Sequence, residues 1–326
     1  MTEPQDINTA PQAGADGRVP GEPGSPAIRT ESLKKVFRDF WRRPKVRAVD
    51  GIDMEVRSGE IFGLLGPNGS GKSTFIKLLL GLLFPTAGTI RVLGRPPRSV
   101  AVKSRIGYLP EESHLYGYLN AGETLDFYGR LFGLEKRKRH ERVEELLDMA
   151  GLRHAAARPV GEYSKGMARR IGFAQALINN PDLVILDEPT SGLDPIGCRQ
   201  VKDLMLTLAR RGKTILMCSH LLADVEDVCD RIAILYNGRI LAQGPVNELL
   251  RKEEKLTLTT GTLPPEIMKK VVALIREKTG QEASVEHPKM NLEQFFLQVV
   301  EEARKLASAP SGASRSTGIP GFLAND

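Results

Sequence analysis

The sequence is poor in cysteine and has no long hydrophobic run. Its three cysteines, Cys198, Cys218 and Cys229, are odd in number and show no Cys-x-x-Cys spacing. This pattern argues against a disulfide framework and against a zinc site, so we expect small buried thiols. The longest uncharged apolar run, Leu78 to Phe84, is far shorter than the roughly 20 residues of a membrane-spanning helix. We therefore expect no segment that crosses a bilayer.

The beginning of the chain also lacks the basic and then apolar pattern of a signal peptide. Residues 1–27 are rich in Pro, Gly and Ala and low in large apolar residues, which predicts a disordered tail. With 41% hydrophobic and 26% charged residues, the chain as a whole has the composition of a globular protein. We expect a cytoplasmic protein.

No strong charge of one sign marks a binding surface. The formal net charge is +6, which permits contact with anionic lipid or nucleic acid without indicating either. Denser basic groups occur at 34–47 and 136–142, and we interpret them as a solvated loop and a solvated helix face. We expect no nucleic-acid partner.

One stretch carries a strong signal for nucleotide binding. Residues 66–74 read Gly-Pro-Asn-Gly-Ser-Gly-Lys-Ser-Thr, after an apolar stretch at 61–65 and before a helix-like run at 75–84. Glycines let successive backbone N–H groups face a phosphate chain, and the following helix adds the positive end of its dipole. Lys72 is expected to reach the β- and γ-phosphates, and Ser73 to offer its hydroxyl to Mg²⁺. The alternative is a Gly-rich structural turn. The candidate residues of this loop are Gly66, Pro67, Asn68, Gly69, Ser70, Gly71, Lys72, Ser73 and Thr74.

Two apolar runs are followed directly by polar residues. Leu183 to Leu186 precedes Asp187 and Glu188, and Thr214 to Cys218 precedes Ser219 and His220. Continuous apolar runs of this length are typical of buried parallel strands, whose carboxyl ends form the ligand-binding edge of an open α/β sheet. The pattern predicts that these side chains meet at that edge. A strand-end turn before Pro189 is the alternative.

Other patterns predict the elements around this edge. Strand-like segments at 34–37, 46–49 and 52–56 indicate an antiparallel region ahead of the phosphate loop. Phe37 in this region is either a base-stacking aromatic or a core residue. A mostly helical block follows, in which Asn120 and Glu123 form a capping box.

Later segments continue the pattern. Ser164 begins a helix, Pro195 begins another that runs to Arg211, and residues 232–242 read as a hairpin around Asn237-Gly238.

Beyond Arg251 a second, smaller pattern appears. Lys255 to Thr260 alternates like a strand, and helical periodicity follows in 265–279 and 291–306. We predict an accessory α+β domain over 253–306. Ser, Gly and Pro return from Ala307, so 307–326 is predicted to be disordered.

Five motifs together resemble the nucleotide-binding domain of ATP-binding cassette (ABC) transporters. They are Gly66 to Thr74, Tyr163-Ser164-Lys165-Gly166-Met167, Leu186-Asp187-Glu188-Pro189, Ser191-Gly192-Leu193-Asp194 and His220. The resemblance covers about residues 28 to 252. It implies an α/β fold: a P-loop NTPase core with an antiparallel β subdomain and an α-helical subdomain at about 115–165, followed here by the small C-terminal α+β accessory domain.

The resemblance implies ATP and Mg²⁺ as cofactors and assigns roles to residues. Asp187 would hold Mg²⁺ through water, Glu188 would polarise the attacking water, and His220 would contact the γ-phosphate. Lys72, Glu188 and His220 form the catalytic set, and Ser73, Asp187 and Glu111 the metal set. The residues assigned to nucleotide binding outside the phosphate loop are Phe37, Glu111, Ser164, Gly166, Met167 and Asp194.

The segment Ser164 to Met167 resembles the signature that, in this family, closes over ATP held by the opposite subunit. Physically it is a helix N-terminus, which offers free N–H groups to a phosphate. The resemblance therefore implies an ATP-dependent head-to-tail homodimer, or a pseudo-dimer with a related cassette.

Several positions depart from the family pattern. Lys165 stands where the signature usually has Gly, and Met167 where it has Gln. Glu111 replaces a Gln that touches Mg²⁺ and relays to the membrane partner. Phe37 replaces the commoner Tyr, with Phe40 and Trp41 as rival stacking residues.

The leading hypothesis is an ATPase subunit that energises a separate transmembrane permease. The segment Asn291 to Leu297 is similar to cassettes encoded apart from their membrane subunits, many of them exporters, so we expect export from a position on the cytoplasmic face of the plasma membrane. The alternative is a soluble cassette ATPase acting on ribosomes or nucleic acid. Ribosomal types join two cassettes, and DNA-repair types insert a long coiled coil. Only about 90 residues without heptads separate Lys72 from Ser164 here.

Overall fold

The computed structural model describes residues 26–41, 43–250, 264–279 and 320–323. The chain forms two compact units: Met1–Val246 together with Ala313–Asp326, and Asn247–Gly312. The strands are β1 Pro26–Arg38, β2 Pro44–Arg57, β3 Ile61–Leu65, β4 Ala87–Val92, β5 Ile106–Leu109, β6 Leu183–Asp187, β7 Thr214–Ser219, β8 Arg231–Tyr236 and β9 Arg239–Pro245. The α-helices are α1 Lys72–Leu79, α2 Val100–Lys103, α3 Ala121–Leu131, α4 Lys136–Met149, α5 Lys165–Leu177, α6 Pro195–Arg210, α7 Leu222–Val228, α8 Val246–Leu249 and α9 Pro265–Thr279.

The described residues of the first unit form two sheets. One is antiparallel, with strand order β2-β1-β4. The other has the order β5-β6-β7-β3-β8-β9, and its strands are parallel except for β9. Strands β3, β6 and β7 are buried along their whole length, as continuous apolar runs in a parallel sheet require.

The parallel sheet separates two hydrophobic cores. Alternate side chains of a strand point to opposite faces. Ile61 and Leu65 therefore pack with α3, α4, α5 and α6, whereas Phe62 and Leu64 pack with α1 and the antiparallel sheet. This arrangement confirms the predicted α/β fold, with an antiparallel β part on one side and a helical part on the other.

Several local predictions are confirmed. Asn120 and Glu123 form the capping box of α3. Asn237 and Gly238 have positive φ angles of 47° and 77°, as the tight turn between β8 and β9 requires. Helix α1 ends at Leu79 rather than at the predicted Phe84.

The three cysteines differ in their exposure to solvent. Cys218 and Cys229 are buried, as expected, whereas Cys198 is partly exposed.

Among the described residues, no helix combines the length and the apolar character needed to cross a membrane.

The two ends of the first unit differ from the sequence expectation. Strand β1 begins at Pro26, two residues inside the predicted N-terminal tail. The tail predicted at 307–326 contains a described 3₁₀ turn, Gly321–Leu323, in which Leu323 is fully buried. Local composition misses this order because the buried side chain contacts residues that are distant in sequence.

In the second unit, the helix predicted at 265–279 is present as α9. The predicted strand Lys255 to Thr260 and the predicted helix Asn291 to Leu306 lie outside the described residues. The boundaries predicted for the accessory domain stay a prediction.

Candidate functional site

The phosphate loop connects the end of β3 to the start of α1. At two of its glycines the backbone passes so close to neighbouring residues that a side chain is excluded. A Cβ on Gly66 would lie 2.3 Å from the carbonyl oxygen of Leu235. A Cβ on Gly71 would lie 2.2 Å from the carbonyl oxygen of Ala48, and the φ of this glycine is 112°. Glycine is therefore required at both positions by contact and, at Gly71, also by conformation.

The polar groups of the loop fit a phosphate ligand. The Lys72 ammonium donates to the carbonyl oxygens of Gly66 and Pro67, the latter at 3.3 Å. The buried Ser70 hydroxyl has no hydrogen-bond partner in the part of the chain that the structure describes. Helix α1 has neither a side-chain cap nor an acidic residue in its first turn. A phosphate accepts from an ammonium, a hydroxyl and helix N–H groups together, so it would satisfy all three.

Glu188 follows directly after β6, at the carboxyl edge of the parallel sheet. Its φ of 52° lies in the left-handed region, and its N–H donates to the carbonyl oxygen of Cys218 at 2.8 Å. The Nδ1 of His220 lies 2.9 Å from Glu188 Oε2, and the Ser219 hydroxyl lies 3.4 Å from the same oxygen. The carboxylate is 6% exposed and the imidazole 52% exposed. Glu188, Ser219 and His220 therefore lie together at this edge, as the sequence predicts.

Asp187 is the last residue of β6 and is buried. The pKa of Asp187 is raised to about 6, mainly by burial and also by the negative charges of Glu111 and Glu188, against the opposing charges of Lys72 and Arg169. Carboxylates that repel each other in this way are stabilised by a cation.

The residues at this sheet edge fit a Mg²⁺ ion that takes only a few of its ligands from the protein. Among the described residues there is no group of three His, Cys, Asp or Glu side chains placed to hold one ion. Mg²⁺ usually takes one or two carboxylates with water and substrate phosphates. Asp187 and the exposed Ser73 hydroxyl are the groups that fit this role beside a phosphate chain.

The signature-like segment forms the N-terminus of α5. Ser164 caps this helix by accepting from Met167 N at 3.3 Å. Ser164 and Lys165 are exposed, and the first turn carries no acidic residue. The Lys165 side chain lies against Gly192, where an added Cβ would meet its Cε at 2.6 Å. The helix end is therefore open to an anion.

Comparison with known proteins identifies the family. A family model described as ABC transporter matches residues 49–191. An uncharacterized ABC transporter ATP-binding protein of Synechocystis sp. is 46% identical over 230 residues, which are 70% of this chain and 65% of that protein. Nod factor export ATP-binding protein I of Rhizobium sp. is 42% identical over 228 residues, 69% of this chain and 73% of that protein. The chain belongs to the ABC transporter family of ATPases.

The fold agrees with solved ABC cassettes. The structure of cbiO1 from Clostridium perfringens, described as part of the ABC transporter complex cbiONQ, has a TM-score of 0.61 and 25% identity. The match covers 78% of this chain and 96% of that one. Both findings confirm the resemblance drawn from the five motifs.

The candidate aromatic residues of the cassette lie on β1 and on the turn that follows it. Phe37 is 38% exposed, and the Lys35 ammonium lies 5.3 Å from its ring centroid. Phe40 and Trp41 are 93% and 73% exposed and contact each other edge to face. All three rings are accessible, so the choice among them for base stacking stays open.

Asp194 has a structural role in the cassette. It is the N-cap of α6 and accepts from Gly197 N at 2.7 Å, with Pro195 in the first turn as predicted. This capping accounts for an acidic residue at that position. Its assignment to nucleotide binding stays a prediction.

Arg169, on α5, is a residue of the cassette site that the sequence reasoning missed. It is 4% exposed. Burial lowers the pKa of Arg169 to about 10, although nearby carboxylates oppose the shift, so it stays charged at neutral pH. Its guanidinium donates to the carbonyl oxygens of Pro110, Glu111 at 2.9 Å, Asp187, Glu188 at 2.6 Å and Pro189 at 3.3 Å.

The sequence did contain a signal for Arg169. It lies three, four and seven residues before Gly172, Phe173 and Ala176, which are all buried on α5. Positions with this spacing share one face of a helix. A charge on a core-facing position requires partners, and here they are the backbones that carry Glu111 and Glu188.

Replacing Arg169 by methionine should lower the ATPase kcat by about 100-fold, equivalent to about 2.7 kcal/mol. The change removes the guanidinium that donates to five carbonyl oxygens and so displaces the backbones beside the γ-phosphate position. ATP affinity should change little, because no Arg169 contact involves the phosphate loop. Steady-state kinetics and calorimetric ATP binding measure the two quantities.

The matched control for this variant is Arg170→Met. Arg170 is the next residue of the same helix and donates to the carbonyl oxygen of Ala150 at 3.1 Å, not to the backbone that carries Glu188. Equal kcat values for the two variants would contradict a positioning role for Arg169.

Proposed function

We propose that this chain is the ATP-binding and ATP-hydrolysing subunit of an exporter, acting on a separate transmembrane permease at the cytoplasmic face of the plasma membrane. The observation that carries the proposal is the convergence of the phosphate loop, Asp187, Glu188 and His220 at one sheet edge. Leu65 pairs with Ser219, and Asp187 with Cys218, so the three segments end side by side. The relative named as a Nod factor export protein supports export as the direction of transport.

Binding of ATP would use the loop as a cradle for its phosphates. The Lys72 ammonium, which donates to two loop carbonyls, would turn to the β- and γ-phosphates. The Ser70 hydroxyl would gain an acceptor. Mg²⁺, held beside Ser73 and Asp187, would neutralise charge that develops on the phosphates.

Hydrolysis would use Glu188 as the general base. Its buried carboxylate would accept a proton from the attacking water, a type of assistance worth typically 10² to 10⁴ in rate. His220 would hold this carboxylate through Nδ1, at the observed 2.9 Å. The Nε2 of the exposed ring would remain available for the γ-phosphate. Arg169 would fix the backbone from which Glu188 projects.

The open N-terminus of α5 supports a composite site between two cassettes. The Ser164 hydroxyl and the first N–H groups of α5 would receive the γ-phosphate of ATP bound to the partner cassette. Lys165 would add a positive charge near this position. An ATP-dependent head-to-tail dimer follows from this arrangement.

An exposed apolar surface supports contact with a permease. Tyr116 and Tyr118 are 46% and 77% exposed, and they lie in the connection from β5 to α3 that also carries Glu111. Leu131, at the end of α3, is 67% exposed. A membrane partner seated on these side chains would contact the same connection as the metal-side residue Glu111. Contact there would couple partner movement to the nucleotide site.

The function is tested first by whether the neighbouring gene encodes a six-helix membrane protein, and then by co-purification of the chain with that candidate permease. We expect the pair to co-purify in detergent and substrate to stimulate ATP hydrolysis. Tyr116→Ala with Tyr118→Ala should weaken the complex, whereas the surface change Lys77→Ala should not. Sedimentation with ribosomes and failure to bind the permease would instead support the soluble alternative.

Replacing Glu111 by glutamine should retain or raise the rate of ATP hydrolysis. The charge of Glu111 contributes to the raised pKa of Asp187, so its removal decreases repulsion beside the γ-phosphate position. Steady-state ATPase measurements with Glu112→Gln as the neighbouring control test this expectation. A loss of more than about tenfold, or about 1.4 kcal/mol, would make Glu111 a required carboxylate.

A further inference from the structure

The segment Pro320–Leu323 is packed onto the ATPase unit. Pro320 and Leu323 are buried, Gly321 is exposed and Phe322 is half-buried. The segment closes a single turn in which Leu323 N donates to the carbonyl oxygen of Pro320 at 3.2 Å. Leu323 is 0% exposed and belongs to the hydrophobic core formed by α3, α4, α5 and α6.

Two arginines from different elements hold this segment. Arg211, which follows α6, donates through Nη1 to the carbonyl oxygen of Pro320 at 2.7 Å. Arg142 on α4 places its guanidinium 4.6 Å from the ring centroid of Phe322, within the range of a cation–π contact. Arg142 also donates to the carbonyl oxygen of Ile178, at the end of α5, at 3.0 Å. We call the surface defined by Arg142, Ile178 and Arg211 the tail groove.

The sequence of the segment suits a docking peptide. Residues 307–318 contain no large apolar side chain, whereas Ile319, Phe322 and Leu323 follow closely together. Pro320 has a fixed φ and no N–H that would need a partner when buried. A proline at a compatible position also lowers the conformational entropy lost on docking. Small and polar tether residues followed by apolar anchors are the pattern of a tethered motif.

We propose that the tail groove is a receptor for the C-terminal segment Pro320–Leu323 of the same chain, which clamps α4 to the end of α6. The clamp joins two parts of the ATPase unit because Arg142 belongs to the helical part and Arg211 adjoins the parallel sheet. The proposal concerns the tail and the groove, and it does not depend on the transporter assignment.

Occupation by the same chain follows from the tether. Residues 247–319 connect the end of the ATPase sheet to the segment, so the segment never leaves the neighbourhood of its groove. Because the segment and the groove are covalently connected, docking within one chain is unimolecular, and its effective concentration exceeds that of a micromolar protein solution. The segment of a second copy therefore competes poorly.

The clamp is tested first in the full-length chain with Phe322→Ala and Leu323→Ala combined. We expect the melting temperature to fall by about 5 °C, from lost burial in a unit of this size. Amide exchange should accelerate in α4 and at the end of α6, and remain unchanged in β3 and β6. Unchanged ATP affinity will show that the variant is folded.

Gly321→Ala is the matched control in the same turn. A Cβ at this position would meet nothing within 4 Å, and the glycine has no positive φ. The control should melt and exchange as the wild type does. If the double variant also behaves as the wild type, the clamp is rejected.

A synthetic peptide of residues 313–326 tests occupation of the groove. Added at millimolar concentration, it should restore the melting temperature and the amide protection of the double variant, whereas the peptide with both alanines should not. A fluorescent form should bind the wild type at least tenfold more weakly than the double variant, because the wild-type groove is filled. Equal binding to both proteins, or no binding to either, would overturn the proposal.

Light scattering without nucleotide tests whether the clamp forms within one chain. The wild type should be a monomer at micromolar concentration, as should the double variant. A nucleotide-free dimer that disappears in the double variant would place the segment in the groove of a second copy and overturn the assignment to the same chain.

Discussion

Replacing Glu188 by glutamine should abolish turnover and let the ATP-bound dimer accumulate. Glutamine keeps the shape of the side chain but cannot accept the proton of the attacking water, so bound ATP persists. Loss of a general base typically lowers the rate by 10² to 10⁴. ATP held between the phosphate loop of one cassette and the α5 N-terminus of the other then stabilises the dimer by mass action.

Size-exclusion chromatography with light scattering measures this outcome. Glu188→Gln should be a monomer without nucleotide and a dimer with ATP and Mg²⁺. A monomer under both conditions would count against the composite site.

A second substitution tests whether the N-terminus of α5 contacts the ATP of the partner cassette. Ser164→Arg added to Glu188→Gln should remove the ATP-dependent dimer, because the bulky side chain fills the N-terminus of α5. Binding of ATP to the monomer should persist, since Ser164 would serve the nucleotide of the partner. Survival of the dimer in this double variant would exclude the α5 N-terminus as the phosphate receptor between cassettes.

Replacing Lys72 by alanine should lower ATP affinity by about 10- to 150-fold. The change removes a charge-assisted contact worth about 1.5 to 3 kcal/mol. In the structure the ammonium donates only to carbonyl groups of the loop itself among its described hydrogen bonds, so it can turn to a phosphate without breaking contacts between distant segments. Thermal stability should therefore change less than affinity does.

Calorimetry of ATP binding provides the measurement, with Lys77→Ala as the control. Lys77 lies on the same helix and is exposed, so the two variants lose the same charge. Equal affinities would show that Lys72 contributes only through net charge. An ATP affinity that is unchanged in Lys72→Ala would contradict the assignment of Lys72 to phosphate binding.

The parts of the site that were predicted are those that short segments determine. The phosphate loop requires glycines within a strand, loop and helix, and all of these signals occur between residues 61 and 84. Glu188 and His220 could be brought together because each follows a buried strand, and parallel strands end at one edge. The capping of α5 by Ser164 likewise depends on adjacent residues.

The parts that were missed depend on contacts between distant segments. Arg169 donates to carbonyl oxygens in residues 110–111 and 187–189. No local sequence pattern brings these two segments together. The burial of Leu323 depends on a core whose other buried residues lie at least 77 positions earlier in the chain. Helix α1 ends before Phe84 because Gly81 adopts a φ of 66°, which apolar content does not reveal. In each case tertiary contact or backbone conformation overrides composition.

The left-handed backbone of Glu188 has a thermodynamic consequence. A side chain other than glycine pays of order 1 kcal/mol or more in this region, and the glutamate there is also buried. Glycine would relieve the strain, but it would remove the carboxylate and its contacts with Ser219 and His220. The chain therefore retains a backbone conformation that is unfavourable for glutamate at the position where its proposed chemistry occurs.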